Sequence, residues 1–289
     1  MRASGCVLLG LAVAGLPVCE ASAAEADPTQ LVPDLHVADL ALCPGGRSLA
    51  VRAGSNSYLV DWPAGTARAW TSPEGPMKVL PPCAAPSLGF SSDGRWFASA
   101  SDQGDILILD SRTGAIHRTL SGHIGTIGAV AFSPDGRWLV SVGFDNDLRI
   151  WDASAGVCVK TITSLTHAAF SLAWAPDSRT FYTAGASRTV SAWNAATGER
   201  LRESSSQGRP IGALAVSMDG RRLAAGTFAA EGTGLPADIR LLDAESFAEQ
   251  RVIQSPDGGA VALAFSPDSR QLLWAAKNGP GIAVSLLEH

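Results

Sequence analysis

A short apolar triplet with a small or aromatic partner recurs six times along the chain, each time followed by a tight turn. The copies are Leu40-Ala41-Leu42, Leu88-Gly89-Phe90, Val130-Ala131-Phe132, Leu172-Ala173-Trp174, Leu214-Ala215-Val216 and Leu263-Ala264-Phe265. Five are followed by an Asp-Gly-Arg or Asp-Ser-Arg turn, with aspartates at 93, 135, 177, 219 and 268; the first has Pro44-Gly45-Gly46-Arg47 instead. The aspartates are spaced by 42, 42, 42 and 49 residues. A unit of this length cannot bury its own apolar face. Such units must stack on one another to make a continuous core.

Within a unit the pattern is that of four short strands. In the third, Ala129 to Phe132 is apolar enough for burial on both faces, and Ser133-Pro134-Asp135-Gly136 has the residues of a tight reversal. Trp138 to Val142, Leu148 to Trp151 and Val159 to Thr163 follow as further strands, separated by turn residues. No segment sustains a 3.6-residue period, so almost no helix is expected. The sixth unit ends near Leu286, one strand short, and Asp27 to Leu35 is expected to supply the missing strand and so cover an open edge. The fifth unit carries about seven extra residues within Phe228 to Asp238, read either as a tolerated loop or as a recognition loop.

Gly122-His123, Phe132-Ser133-Pro134-Asp135-Gly136 and Trp151-Asp152 together resemble a WD40 repeat. The resemblance extends in weaker copies over residues 40–289 and implies an all-β fold: a β-propeller of six four-stranded blades, closed by residues 24–39. It also implies a non-enzymatic scaffold that holds other proteins, with no cofactor and no catalytic residue. A propeller enzyme, or one holding a metal or cofactor in its central channel, is the alternative. The family's polar tetrad falls on His123, Ser141, Asp145 and Trp151, where an indole N–H, a hydroxyl, an imidazole and a carboxylate can form one buried hydrogen-bonded chain. A Ser-His-Asp hydrolase triad is the competing reading, but no G-x-S-x-G elbow accompanies it.

The other units depart from the tetrad. The second has Gln103 and Leu109 at the aspartate and tryptophan positions; the fourth keeps Thr183 and Trp193 but has Ser187 for the aspartate and a displaced His167. In the family, the loops between second and third strands share one face with those entering the first strand. That face would carry Gln103, Phe144, Arg188, the insertion with Phe228, Glu231 and Leu235, and Lys277 as candidate partner contacts.

Before the repeats, Arg2 precedes an apolar run from Cys6 to Leu16, and Pro17 and Ala21-Ser22-Ala23 complete the pattern of a cleaved signal peptide over residues 1–23. Export to the periplasm or beyond is expected, with no membrane span after removal. A lipoprotein modified at Cys19 is the lesser alternative, because Val18 is bulky for a lipobox. Cys43, Cys83 and Cys158 would remain; none has zinc-site spacing, and small buried hydrophobes are their default reading. A net charge of -5 offers no basic face for nucleic acid, no metal site is visible, and a monomer is expected. The ending Leu287-Glu288-His289 is either native or the remains of an expression tag.

Overall fold

The computed structural model describes residues 88–287, apart from 102, 112, 164, 229–236, 256–258, 267 and 277–281, and the earlier segments 37–42, 48–53, 56–61, 66–69, 71–72 and 75–76. The described residues are all strand, turn and bend, with no helix. The predicted closing segment 27–35, and Cys43, Cys83, Glu231, Leu235 and Lys277, lie outside them.

Strands follow one another as antiparallel meanders. The first sheet joins β1 (Val37–Leu42), β2 (Ser48–Ala53), β3 (Asn56–Asp61) and β4 (Thr66–Ala69). A two-stranded ribbon, β5 (Thr71–Ser72) and β6 (Gly75–Pro76), comes next. The second sheet is β7 (Leu88–Phe90), β8 (Trp96–Ala100), β9 (Ile106–Asp110) and β10 (Ile116–Leu120). The third is β11 (Ile127–Phe132), β12 (Trp138–Gly143), β13 (Leu148–Asp152) and β14 (Val157–Ile162). The fourth is β15 (Ala169–Trp174), β16 (Thr180–Gly185), β17 (Val190–Asn194) and β18 (Arg200–Glu203). The fifth is β19 (Ile211–Val216), β20 (Arg222–Thr227), β21 (Ala237–Asp243) and β22 (Glu249–Ser255). The sixth has three strands among the described residues: β23 (Ala260–Phe265), β24 (Gln271–Ala276) and β25 (Ile282–Leu286).

Several boundaries differ from the sequence reading, among them β14, which begins at Val157 and not Val159. β1 begins at Val37 and pairs with β2, so residues 37–39 belong to the first sheet and not to a separate closing segment. β11 begins at Ile127, two residues before the expected start at Ala129, because a bulge between Ile127 and Ala129 extends the pairing to Gly143. The same bulge recurs between Ala169 and Ser171, Ile211 and Ala213, and Ala260 and Ala262. It re-aims the start of each first strand.

The first strands lie side by side in the order β1, β7, β11, β15, β19 and β23, and β23 lies beside β1. Apolar clusters fill the spaces between neighbouring sheets. Ile106 and Leu120 of the second sheet pack with Ile127, Leu139 and Trp151 of the third, and Val140 and Ile150 of the third with Phe181 and Trp193 of the fourth. The outermost strands are wet: every residue of β18 is exposed, and β14 is exposed from Val157 to Thr161. Cys158 is therefore an exposed free thiol, which corrects its reading as a buried hydrophobe; it lies on β14, the outermost strand of its sheet among the described residues. Leu287, in contrast, is 5% exposed in the last cluster, and its amide donates to the Arg270 carbonyl, so it is part of the fold.

The turn aspartates are fully employed. Asp93, Asp135, Asp219 and Asp268 each accept from a serine hydroxyl two residues earlier and from the amide of the following arginine. Adjacent sheets are tied by cations that recur every 42 residues on the outer strands. Arg118 donates to the Ser154 carbonyl at 3.0 Å, Lys160 to that of Thr197 and Arg202 to that of Glu245, each in the next sheet.

Candidate functional site

Two strands and two loops meet at the tetrad of the third sheet. Ser141 on β12 and Trp151 on β13 sit in paired strands, His123 on the segment entering β11, and Asp145 in the turn between β12 and β13. The Trp151 indole N–H donates to Ser141 Oγ at 2.9 Å, and Ser141 Oγ lies 2.8 Å from His123 Nε2. His123 Nδ1 lies 2.8 Å from an Asp145 carboxylate oxygen, which also accepts the Ile124 amide at 2.9 Å. With neutral imidazole the chain has one consistent polarity: Trp151 to Ser141, Ser141 to His123, His123 to Asp145. Ser141 is fully buried, and its oxygen is occupied from both sides, so it has no open approach for a substrate carbonyl.

Burial is the strongest influence on His123 and holds its pKa below the ordinary 6.5, against the pull of the Asp145 carboxylate. Burial also pushes Asp145 up, but the Ile124 amide and the His123 ring outweigh it and leave the carboxyl below its usual 3.8. Both groups bind protons less readily folded than unfolded. The stability from His123 is therefore complete above about pH 6.5 and lost as pH falls through its depressed folded pKa, and that from Asp145 is lost further down. The melting temperature should fall on acidification below pH 6.5, and His123→Gln should flatten the first part of that fall. An unchanged slope in the variant would remove His123 as its cause.

The other sheets hold fragments of the same arrangement. Ser99 stands 42 residues before Ser141, but Leu109 replaces the tryptophan, and the buried Ser99 hydroxyl has no hydrogen-bond partner among the described residues. An orphaned buried hydroxyl costs about 1–3 kcal/mol of desolvation. Ser99→Ala is expected to be neutral or to stabilise by up to about 1 kcal/mol, whereas Ser141→Ala should cost about 1–3 kcal/mol by stranding Trp151 and His123. Denaturant titration of the two variants checks this, and equal losses would refute it. In the fourth sheet, Trp193 Nε1 donates to Thr183 Oγ1 at 2.8 Å, while His167 is exposed and reaches only Thr166.

The second-to-third-strand loops and the segments entering the first strands do share one end of the sheets. The amides of Phe144, Ala186 and Phe228 donate to the carbonyls of Thr126, Ala168 and Pro210, again at intervals of 42. Gln103 and Arg188 are exposed there, and Arg188 sits at φ 65°, in the left-handed region that a non-glycine rarely adopts. Phe228 is half-buried, its ring laid over Gly212. Phe144 is 43% exposed and stacks on Phe170 with centroids 5.2 Å apart. Ile124, which the sequence did not single out, is 83% exposed on the neighbouring loop. Among the described residues, no three His, Cys, Asp or Glu come together to hold a metal, and no helix is long and apolar enough to cross a membrane.

Comparison with curated proteins finds no match. The family described as WD domain, G-beta repeat, matches residues 83–110, 114–152 and 156–194, which span parts of the second, third and fourth sheets. Those matches fall on antiparallel four-stranded meanders, and the match at 114–152 contains the whole Trp-Ser-His-Asp chain, so residues 83–194 carry WD40 repeats.

Proposed function

We propose that this protein is a non-enzymatic scaffold that binds other proteins through the loop face bearing Phe144. The observation that carries the reading is the exposure of Ile124 and Phe144 on neighbouring loops, with Phe144 stacked on the half-buried Phe170. Large apolar side chains held in water by a rigid sheet end are suited to the centre of a protein interface, where aromatic anchors supply much of the binding energy. The WD40 family's general role as an interaction module agrees with this. The burial of Ser141 supports a structural tetrad over a hydrolase.

The test is capture of a partner by the protein from its own compartment, followed by substitution. Phe144→Ala with Ile124→Ser should weaken retention at least about tenfold, as expected for a hot spot. Arg95→Ala and Arg137→Ala, in turns at the opposite end, should leave it within about twofold. Equal losses on both faces would refute the assignment.

The reading includes six blades, export and closure by the N-terminal segment. Six sheets whose first strands lie side by side in chain order, with β23 beside β1, support the ring. The sixth sheet's three described strands leave a place for residues from 24–35. The Arg2, apolar-run and Ala-Ser-Ala series supports cleavage after Ala23. Mass spectrometry finding residues 1–23 intact on the native protein would overturn export.

A further inference from the structure

The fourth sheet contains a cavity of about 260 Å³ at the place where the third sheet is filled by its tetrad. Its lining includes Thr183 and Trp193, which stand 42 residues after Ser141 and Trp151. Three other equivalences explain the empty space. Leu165 stands where His123 is, Ser187 where Asp145 is, and Ser191 where Arg149 is, each 42 residues on. An imidazole, a carboxylate and a guanidinium have been exchanged for an isobutyl group and two hydroxymethyl groups. Only His167 remains nearby with an imidazole, and it is exposed on the loop.

The hydrogen-bonding in this cavity is incomplete in a directed way. In the third sheet Ser141 accepts from Trp151 and gives its own proton to His123 Nε2. Thr183 accepts from Trp193 in the same manner and is 4% exposed, yet its proton meets no acceptor among the described residues. Ser191, paired across the strands with Thr183 and 8% exposed, also lines the cavity, and no hydrogen bond to a described residue holds its hydroxyl. At the outer side, Arg200 and Glu203 are paired with each other at 3.0 Å, so the walls carry little free charge.

We infer that this cavity is a binding site for an uncharged nitrogen heterocycle of one or two rings, whose ring nitrogen accepts the Thr183 hydroxyl proton in the manner of the missing imidazole. The volume is slightly below the usual range for drug-sized ligands, which fits a single small heterocycle. Thr183 and Ser191 supply donors, Trp193 and Leu165 an apolar wall, and the loop from Leu165 to His167 the entrance. The site opens at the same loop end as the proposed interface, in the fourth sheet and not the third, and its occupation by a small molecule is tested without any protein partner.

The probe is imidazole itself, at a pH where it is neutral, titrated into the full chain while the indole N–H signals of Trp193 and Trp151 are followed by NMR. Saturable movement of the Trp193 signal with a Kd of roughly 1–10 mM is expected for so small a ligand. Benzimidazole, which fills more of the space, should bind about tenfold more tightly. The Trp151 signal should stay still, since His123 already occupies its equivalent site. Ser191→Arg, which restores the third sheet's filling residue, should abolish binding without removing any native hydrogen bond. Thr183→Val should weaken it about tenfold or more. The inference is overturned by no saturable shift at Trp193, by equal shifts at Trp151, or by unchanged binding in Ser191→Arg.

Discussion

Trp151→Ala is expected to lower stability by about 3–5 kcal/mol, the usual cost of removing a buried tryptophan. The side chain is 2% exposed and packs in the cluster between the second and third sheets with Ile106, Leu120, Ile127 and Leu139. Its loss opens a cavity in that cluster and also removes the donor to Ser141 at 2.9 Å. Trp151→Phe separates the two effects, because it keeps much of the apolar volume and deletes only the N–H and the larger ring. It should cost about 1–2 kcal/mol, since Ser141 retains His123 as a partner. Denaturant unfolding of both variants measures the difference. A loss below about 1 kcal/mol for Trp151→Ala would contradict the packing argument. Hydrolytic activity lost with unchanged unfolding would instead restore the catalytic reading of His123, Ser141 and Asp145.

Much of the fold is legible in the sequence because the repeat sets both the strands and the turns. The Asp135 turn reads correctly since proline, aspartate and a following glycine or serine have few other uses in that spacing, and Gly136 and Ser178 both adopt positive φ there. The tetrad residues read correctly as a group because indole, hydroxyl, imidazole and carboxylate can satisfy one another only at close quarters. What stays hidden depends on relations between units. Arg118, Lys160 and Arg202 look like solvent-facing charges on wet strands, and only the stacking of sheets shows that each reaches a carbonyl of the next. Cys158 alternates with apolar residues as a core residue would, but among the described residues its strand is the edge of the sheet.

The candidate site is legible in a different degree. Phe144 is identifiable from its place in a second-to-third-strand loop, whereas the exposure of Ile124, whose amide donates to Asp145 in that loop, is visible only in the structure. Ser99 and Thr183 are recognisable as copies of Ser141, but whether each hydroxyl is satisfied depends on what the other strands bring to it. Leu109 brings nothing and Trp193 brings one donor. The same repeat therefore yields a complete network, a partial network beside a cavity, and an orphaned hydroxyl.

Gly128→Ala is expected to destabilise by about 1–2 kcal/mol, even though the same change in an unhindered strand would help. Replacing glycine normally stabilises by about 0.4–1 kcal/mol, because the unfolded chain has less freedom to lose. Gly128 lies in β11 with no positive φ, so its backbone angles do not oppose a side chain. The obstacle is the neighbouring sheet. A Cβ at Gly128 would stand 2.3 Å from the Ala169 carbonyl oxygen of β15, and that oxygen is backbone and cannot rotate away. Overpacking of this kind costs about 1–3 kcal/mol, which exceeds the entropic gain. Gly89 provides the comparison, for its added Cβ would meet the Val130 oxygen of β11 at 3.2 Å, a contact relieved by a few tenths of an ångström. Gly89→Ala should then be close to neutral, so denaturant unfolding should rank the two variants clearly. The reverse order would mean that the first strands can separate at little cost, and that close packing between β11 and β15 does not hold the third and fourth sheets in place.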